Sequence, residues 1–151
     1  MEFLHGDAFS AQFDSIGSRA FHLEVQDTYH TPDEQGPFNM FLSGQRDDLE
    51  WHRPWLQLVQ NVTSRGKAVH RVRVVSVPHV DYTRWGLAIA PHNIAAGEDI
   101  RWLPRNADGA SDLPADDFWL LDDDRVMFTI FEPSGRFAGG KHSAVSGVVD
   151  A

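Results

Sequence analysis

The stretch RVRVVSVPHVDYTRW, residues 71–85, decides the fold. Its first half alternates arginine with valine, and together with Ala68 to His70 it forms a β-branched run that Pro78 ends, which predicts a central strand over Ala68–Val77. Successive side chains of a strand point to opposite faces, so Arg71 and Arg73 share one face and can offer two guanidinium forks to a carboxylate or phosphate. The second half, with the residues after it, predicts a helix or helical turn over Val80–Ile89 carrying Tyr82, Arg84 and Trp85.

Upstream of this strand, Trp55, Leu58, Val59 and Val62 recur at i, i+3, i+4 and i+7 and define the clearest helix, with Pro54 in its first turn and Gly66 as a stop. Asp47–His52 reads either as an extra turn or as a separate short helix, since a proline interrupts an interior helical ladder. Farther back, AFHLEVQ alternates Phe21, Leu23 and Val25 with His22, Glu24 and Gln26, the pattern of a strand with its apolar side inward. Thr31-Pro32-Asp33-Glu34 has the capping-box spacing, and Phe38, Phe41 and Leu42 are expected to face inward from the helix it opens. At the start, Asp7 is placed to cap a short helix with the stripe Phe9, Phe13 and Ile16, which Gly17 ends. Downstream, a short strand is predicted at Ile100–Leu103. Two more are predicted at Asp117–Leu121 and Val126–Phe131, joined at Asp122-Asp123-Asp124, and Pro133-Ser134-Gly135 ends this hairpin. The tail beyond Gly139-Gly140 has no assignable pattern. Early strands separated by helices, followed by a hairpin, predict an α/β fold with a mixed sheet flanked by helices.

A chain of 151 residues without internal repeats or low-complexity linkers reads as one domain over 1–151. It contains no cysteine, which excludes disulfides, thiol nucleophiles and thiolate metal sites. MEFLHGDAF lacks a basic segment followed by an apolar core, and no apolar run approaches the roughly 20 residues of a membrane helix. The expectation is a soluble cytoplasmic protein with no membrane partner. A net charge of −9 argues against direct nucleic-acid binding, and no helix rich in Arg, Lys, Asn or Gln suggests a groove reader. The charge is uneven, at −7 over residues 1–64, +4 over 65–105 and −6 over 106–151. A basic middle between acidic flanks fits either a small anionic ligand or charges paired within the fold.

The eight histidines lack the short spacings that place two imidazoles on one metal ion, and Asp122 to Asp124 lack the remainder of a calcium loop. No metal or other cofactor is therefore expected. Neither a nucleophile elbow nor a phosphate-binding glycine loop is present. The residues that stand out are Glu24, Arg71, Arg73, Tyr82, Arg84, Arg101, Asp117 and Trp119. If Arg73, Arg84 and Arg101 form an anion site they must converge, with Glu24 steadying a guanidinium and Trp119 as a wall. If not, Glu24 is the internal partner of the strand arginines. Trp55 belongs to the core by its spacing, whereas Trp85 and Trp102 sit beside polar residues and are placed to line a groove.

AFHLEVQDTY, RVRVVSVPHVDYTRW, AGEDIRWLPR and DFWLLDDDRV, in this order, resemble an actinobacterial family of unknown function whose genes often neighbour those of small helix-turn-helix regulators. The resemblance spans roughly residues 9–137. It implies a regulatory or interaction role with a helix-turn-helix protein as partner. The pattern also distantly resembles half of a phospholipase D-type sandwich, whose catalytic strand carries H-x-K followed four residues later by D. In that alignment Asp117 stands at the histidine, Trp119 at the lysine and Asp124 at the aspartate, so the resemblance implies a relative without the catalytic motif. The competing expectation is a hydrolase of a phosphate ester that uses Asp117, Glu24 or a histidine as acid–base.

Overall fold

The computed structural model describes the backbone of residues 2–4, 6–131 and 137–143, and the side chains of 7–129. In chain order the elements are β1 (Glu2–Leu4), α1 (Gly6–Ala11), β2 (Arg19–Glu24), α2 (Pro32–Leu42), a 3-10 turn (Glu50–His52), α3 (Arg53–Ser64), β3 (Ala68–Val75), α4 (Asp81–Ala96), β4 (Glu98–Pro104), a second 3-10 turn (Ala110–Asp112), β5 (Phe118–Leu121), β6 (Arg125–Phe131) and β7 (Phe137–Ser143). The strands form one mixed sheet in the order β1-β7-β6-β5-β2-β3-β4. β2, β3 and β4 run parallel, and β2 turns its other edge to β5 in antiparallel pairing.

Two parallel crossovers that step the same way across a sheet, each right-handed, put their helices on one face. That is where they lie. Trp55 of α3 stacks under Arg71, Tyr82 of α4 lies under Arg73, and Phe13, just past α1, packs edge-on against Trp119. α2 joins this layer through Phe38, which contacts Tyr82 and Trp85. The sheet register places Ala20, His22 and Glu24 on this covered face beside Val69, Arg71 and Arg73. The opposite face bears a ladder of half-buried rings, Phe21, Phe118 and Phe128, with centroids 6.4 Å apart at each step.

The main core joins Phe13, Ile16, Val59, Val62, Val69, Trp119, Leu121 and Met127. The α3 stripe is therefore as the spacing predicts, with Val59 and Val62 buried and Trp55 and Leu58 packed at its edge. A second cluster, Tyr29, Tyr82 and Trp85, lies under α2 and α4. Two glycines permit close packing, one where α4 ends against α3 and one where α4 crosses β3. A Cβ on Gly97, which has φ 116° at the end of α4, would come within 2.6 Å of the Thr63 hydroxyl. One on Gly86 would collide with the Arg73 guanidinium.

Several expectations change. His22 is buried because its face of β2 is the one the helices cover, and Glu24 on the same face is the internal partner of the strand arginines, as one of the two readings of the sequence had it. α1 stops at Ala11, and Phe13 and Ile16 reach the core from the turns that follow it. α2 buries no residue fully, and Phe41 and Leu42 are exposed, since only the Phe38 side of this helix meets α4. The capping box does not form, because the Glu34 carboxylate accepts from the Tyr82 hydroxyl instead. α4 extends through Pro91 to Ala96, beyond the predicted Ile89. Residues 140–143 extend the sheet within β7, which pairs with β6 and with β1. The β5–β6 turn falls on 122–124 as predicted, with Asp122 and Asp123 left-handed at φ of 56° and 61°. There Asp122 accepts from the backbone N–H groups of Gly17, Ser18 and Arg19, which ties the hairpin to the start of β2. The predicted turn Pro133-Ser134-Gly135 lies outside the described residues.

Candidate functional site

On the helix-covered face, a cleft of about 420 Å3 opens beside the carboxyl end of β2. Open α/β sheets generally bind ligands at the carboxyl ends of parallel strands, and this volume lies within the usual range of small-molecule pockets. The cleft runs between the two aromatic clusters, with Trp55 and Trp119 on one side and Tyr29, Tyr82 and Trp51 on the other. A smaller cavity of about 70 Å3 lies against it and shares Glu24, Glu34, His52, Arg71 and Tyr82.

The floor is an ion-pair network dictated by register. His22 pairs across from Arg71 and Glu24 from Arg73 on the same face of β2 and β3. Glu24 receives Arg71 in a direct hydrogen-bonded pair and lies 3.9 Å from Arg73 Nε. From the other side Arg71 donates to Glu98 at 3.1 Å, and Glu98 also accepts from Asn93 at 3.0 Å and from the Trp55 indole at 3.2 Å. Burial opposes ionisation of Glu24, yet the Arg71 and Arg73 guanidiniums prevail and hold its carboxyl at about 2. Arg71 is likewise kept charged, its pKa raised by the two glutamates against the cost of burial.

His22 stacks on Trp119 with centroids 4.1 Å apart, and both its ring nitrogens lack a hydrogen-bond partner among the described residues. Burial lowers its pKa to about 3 despite Glu24 nearby, so the ring is neutral. Burial also lowers the pKa of His52, whose Nε2 meets Asn93 at 2.6 Å.

Two carboxyls line the cleft in a different setting. Asp117 accepts from the Tyr29 hydroxyl at 2.5 Å and from the Val25 N–H at 2.9 Å, and burial raises its pKa to about 6. Glu34 accepts from the Tyr82 hydroxyl at 2.8 Å, and burial raises its pKa too. The tyrosines respond in kind, their pKa values raised by burial and by the carboxylates they face.

The structure thus brings Glu24, Arg71, Arg73, Tyr82, Asp117 and Trp119 to the cleft and its adjoining cavity. Arg84 and Arg101 lie elsewhere. Arg84 is exposed on α4 and pairs with Asp81. Arg101 is exposed on the opposite face of the sheet, in phase with Val72, and pairs with Asp99 at 3.1 Å. The expected convergence of Arg73, Arg84 and Arg101 is not found. Trp85, buried in the second cluster, and Trp102 both line the smaller cavity. Tyr29, Glu34, Glu98, Asn93 and the position of His22 were not distinguishable from local pattern, because each acquires its role through a contact distant in sequence. Among the described residues, no three His, Asp or Glu side chains gather as a metal site, and no helix is long and apolar enough to cross a membrane.

Residues 7–151 match the model of a domain of unknown function, DUF6879. The chain belongs to this family. The match covers slightly more of this DUF6879 chain than the 9–137 over which the spaced motifs predict kinship. Comparison with curated proteins finds no match.

Proposed function

We propose that this DUF6879 domain is a non-catalytic regulatory protein that senses a small molecule in the cleft beside β2. The observation that carries this reading is a cleft of about 420 Å3 with aromatic walls on both sides and an ion-paired floor. Such a site offers an apolar body its contact area and a few fixed polar groups for orientation. The neutral His22 ring lines the cleft, its Nδ1 3.6 Å from Glu24 and neither nitrogen hydrogen-bonded among the described residues.

The rest of the reading comes from the resemblance: an actinobacterial, cytoplasmic protein that reports to a helix-turn-helix regulator. On this view a phospholipase D-like half has lost its catalytic pair. In support, Asp117 and Trp119, at the histidine and lysine positions, both line the cleft. Co-purification of the chain with the co-expressed regulator encoded beside it tests the partnership.

The test of the sensor reading is a thermal-shift screen of chemically diverse metabolites on the wild type and on Thr31→Trp, which adds bulk to the cleft lining. A ligand at 100 times its Kd adds about 2.7 kcal/mol of stability, and the variant should lose that shift. Absence of any Thr31-sensitive shift across the screen would overturn the reading. One observation favours hydrolysis of a phosphate ester instead: Asp117, held at about 6, suits acid–base work near neutral pH. Arg71, the natural anion clamp, is already engaged by Glu24 and Glu98. Turnover of a phosphate ester abolished by Asp117→Asn would establish that alternative.

A further inference from the structure

We propose that the cleft receives an organic amine, a molecule with an apolar body between the aromatic walls and an ammonium or guanidinium group between Asp117 and Glu34. This rests on the reading of the cleft as a small-molecule site and assigns the chemistry of its ligand.

The charge balance of the walls comes first. Arg71 and Arg73 face Glu24 and Glu98, so these four charges cancel inside the network. His22 and His52 are neutral, because burial depresses both. That leaves Asp117 and Glu34, and among the described residues neither forms an ion pair with a Lys, Arg or His. Each is met by a tyrosine hydroxyl, a donor that satisfies a lone pair without supplying positive charge. The two tyrosine rings stand 5.7 Å apart, so both carboxyls belong to one stretch of wall. Burial is the largest cause raising both carboxyls, and the Arg73 guanidinium only partly offsets it at Glu34.

A cation entering here supplies what the wall lacks, whereas an anion would meet two acids, with Arg71 engaged by Glu24 and Glu98 and Arg73 set back in the smaller cavity with its Nε 3.9 Å from Glu24. The walls also tolerate positive charge. Arg71 lies 5.5 Å from the centroid of the Trp55 ring and Arg73 5.6 Å from that of Tyr82, so aromatic surface in this region already carries cations. Asp33 is exposed in the first turn of α2, where the helix end favours it, and is not needed for the balance.

Three probes with one body and three charges test the assignment by calorimetric titration: phenethylamine, 2-phenylethanol and phenylacetate. The amine is expected to bind at least tenfold more tightly than the alcohol, and phenylacetate most weakly. In the double variant Glu34→Gln, Asp117→Asn the amine should fall to the affinity of the alcohol. The alcohol should keep its wild-type affinity, which shows that the cleft is still folded. An amine no tighter than the alcohol or phenylacetate, or a preference that survives the double variant, would overturn the amine assignment while leaving the cleft a ligand site. Failure of all three to bind would overturn both readings.

Discussion

Glu24→Gln is the most informative single perturbation, because one carboxylate holds two buried guanidiniums. With the amide in place, Arg71 keeps Glu98 but Arg73 loses its one ion-pair partner among the described residues. The magnitude follows from the carboxyl itself. A pKa moved from 4.5 to about 2 corresponds to about 3 kcal/mol of preference for the charged form in the folded state. This agrees with the roughly 3–5 kcal/mol lost when one partner of a buried pair is removed. Because the folded pKa is depressed, this stability is fully present above pH 4.5 and is lost as the pH falls towards 2. Urea denaturation of wild type and variant at pH 7 should therefore differ by about 3 kcal/mol with equal m-values. The difference should shrink steadily below pH 4.5. A difference under about 1 kcal/mol at pH 7, typical of exposed pairs, or one that does not shrink in acid, would refute a buried network.

Gly86→Ala should displace the Arg73 guanidinium and destabilise by about 1–3 kcal/mol, as overpacking does, read by thermal denaturation. Asp117 has a folded pKa raised from 3.8 to about 6, so its contribution to stability is full below 3.8 and is lost as the pH rises through about 6. A Tm profile from pH 3.5 to 7.5 should lose that decline in Asp117→Asn; a variant profile parallel to wild type would show that Asp117 titrates normally. Purified protein should not hydrolyse generic phosphodiesters with or without divalent metals, because Asp and Trp stand where the resemblance requires histidine and lysine; turnover that depends on Asp117 would contradict this.

The strands and helices around the cleft were legible wherever one periodicity settled the matter. The β-branched run of β3 and the α3 stripe Trp55, Leu58, Val59 and Val62 are examples. The alternation in β2 was also legible, but it did not show that the polar phase is buried too: Leu23 is buried, and so are His22 and Glu24. Period two reveals that two faces differ, not which one the helices cover, and here the polar face is sealed by matching arginines. Arg71, Arg73 and Arg101 look alike in composition, yet the last falls on the other face through the register of β4. Glu34 carries a local signal for helix capping, and only the packing of α2 on α4 diverts it to Tyr82, 48 positions away. β1 and β7 had no pattern to read in the sequence, and they are seen through their backbone pairing.

The place of β2 in the sheet bears on how the chain is made. Ala20 pairs with Val69 on one side and Leu121 on the other, so the strand emerges from the ribosome long before either neighbour. At about 5–20 residues per second, roughly 5–20 s of synthesis separate β2 from β5. For that interval its unpaired N–H and C=O groups form an edge onto which another nascent chain can add. An inward-pointing charge deters such pairing, and Glu24 supplies one until Arg71 and Arg73 arrive. Chains truncated before Phe118 should accordingly be recovered largely as aggregates, and more so when Glu24 is replaced by valine.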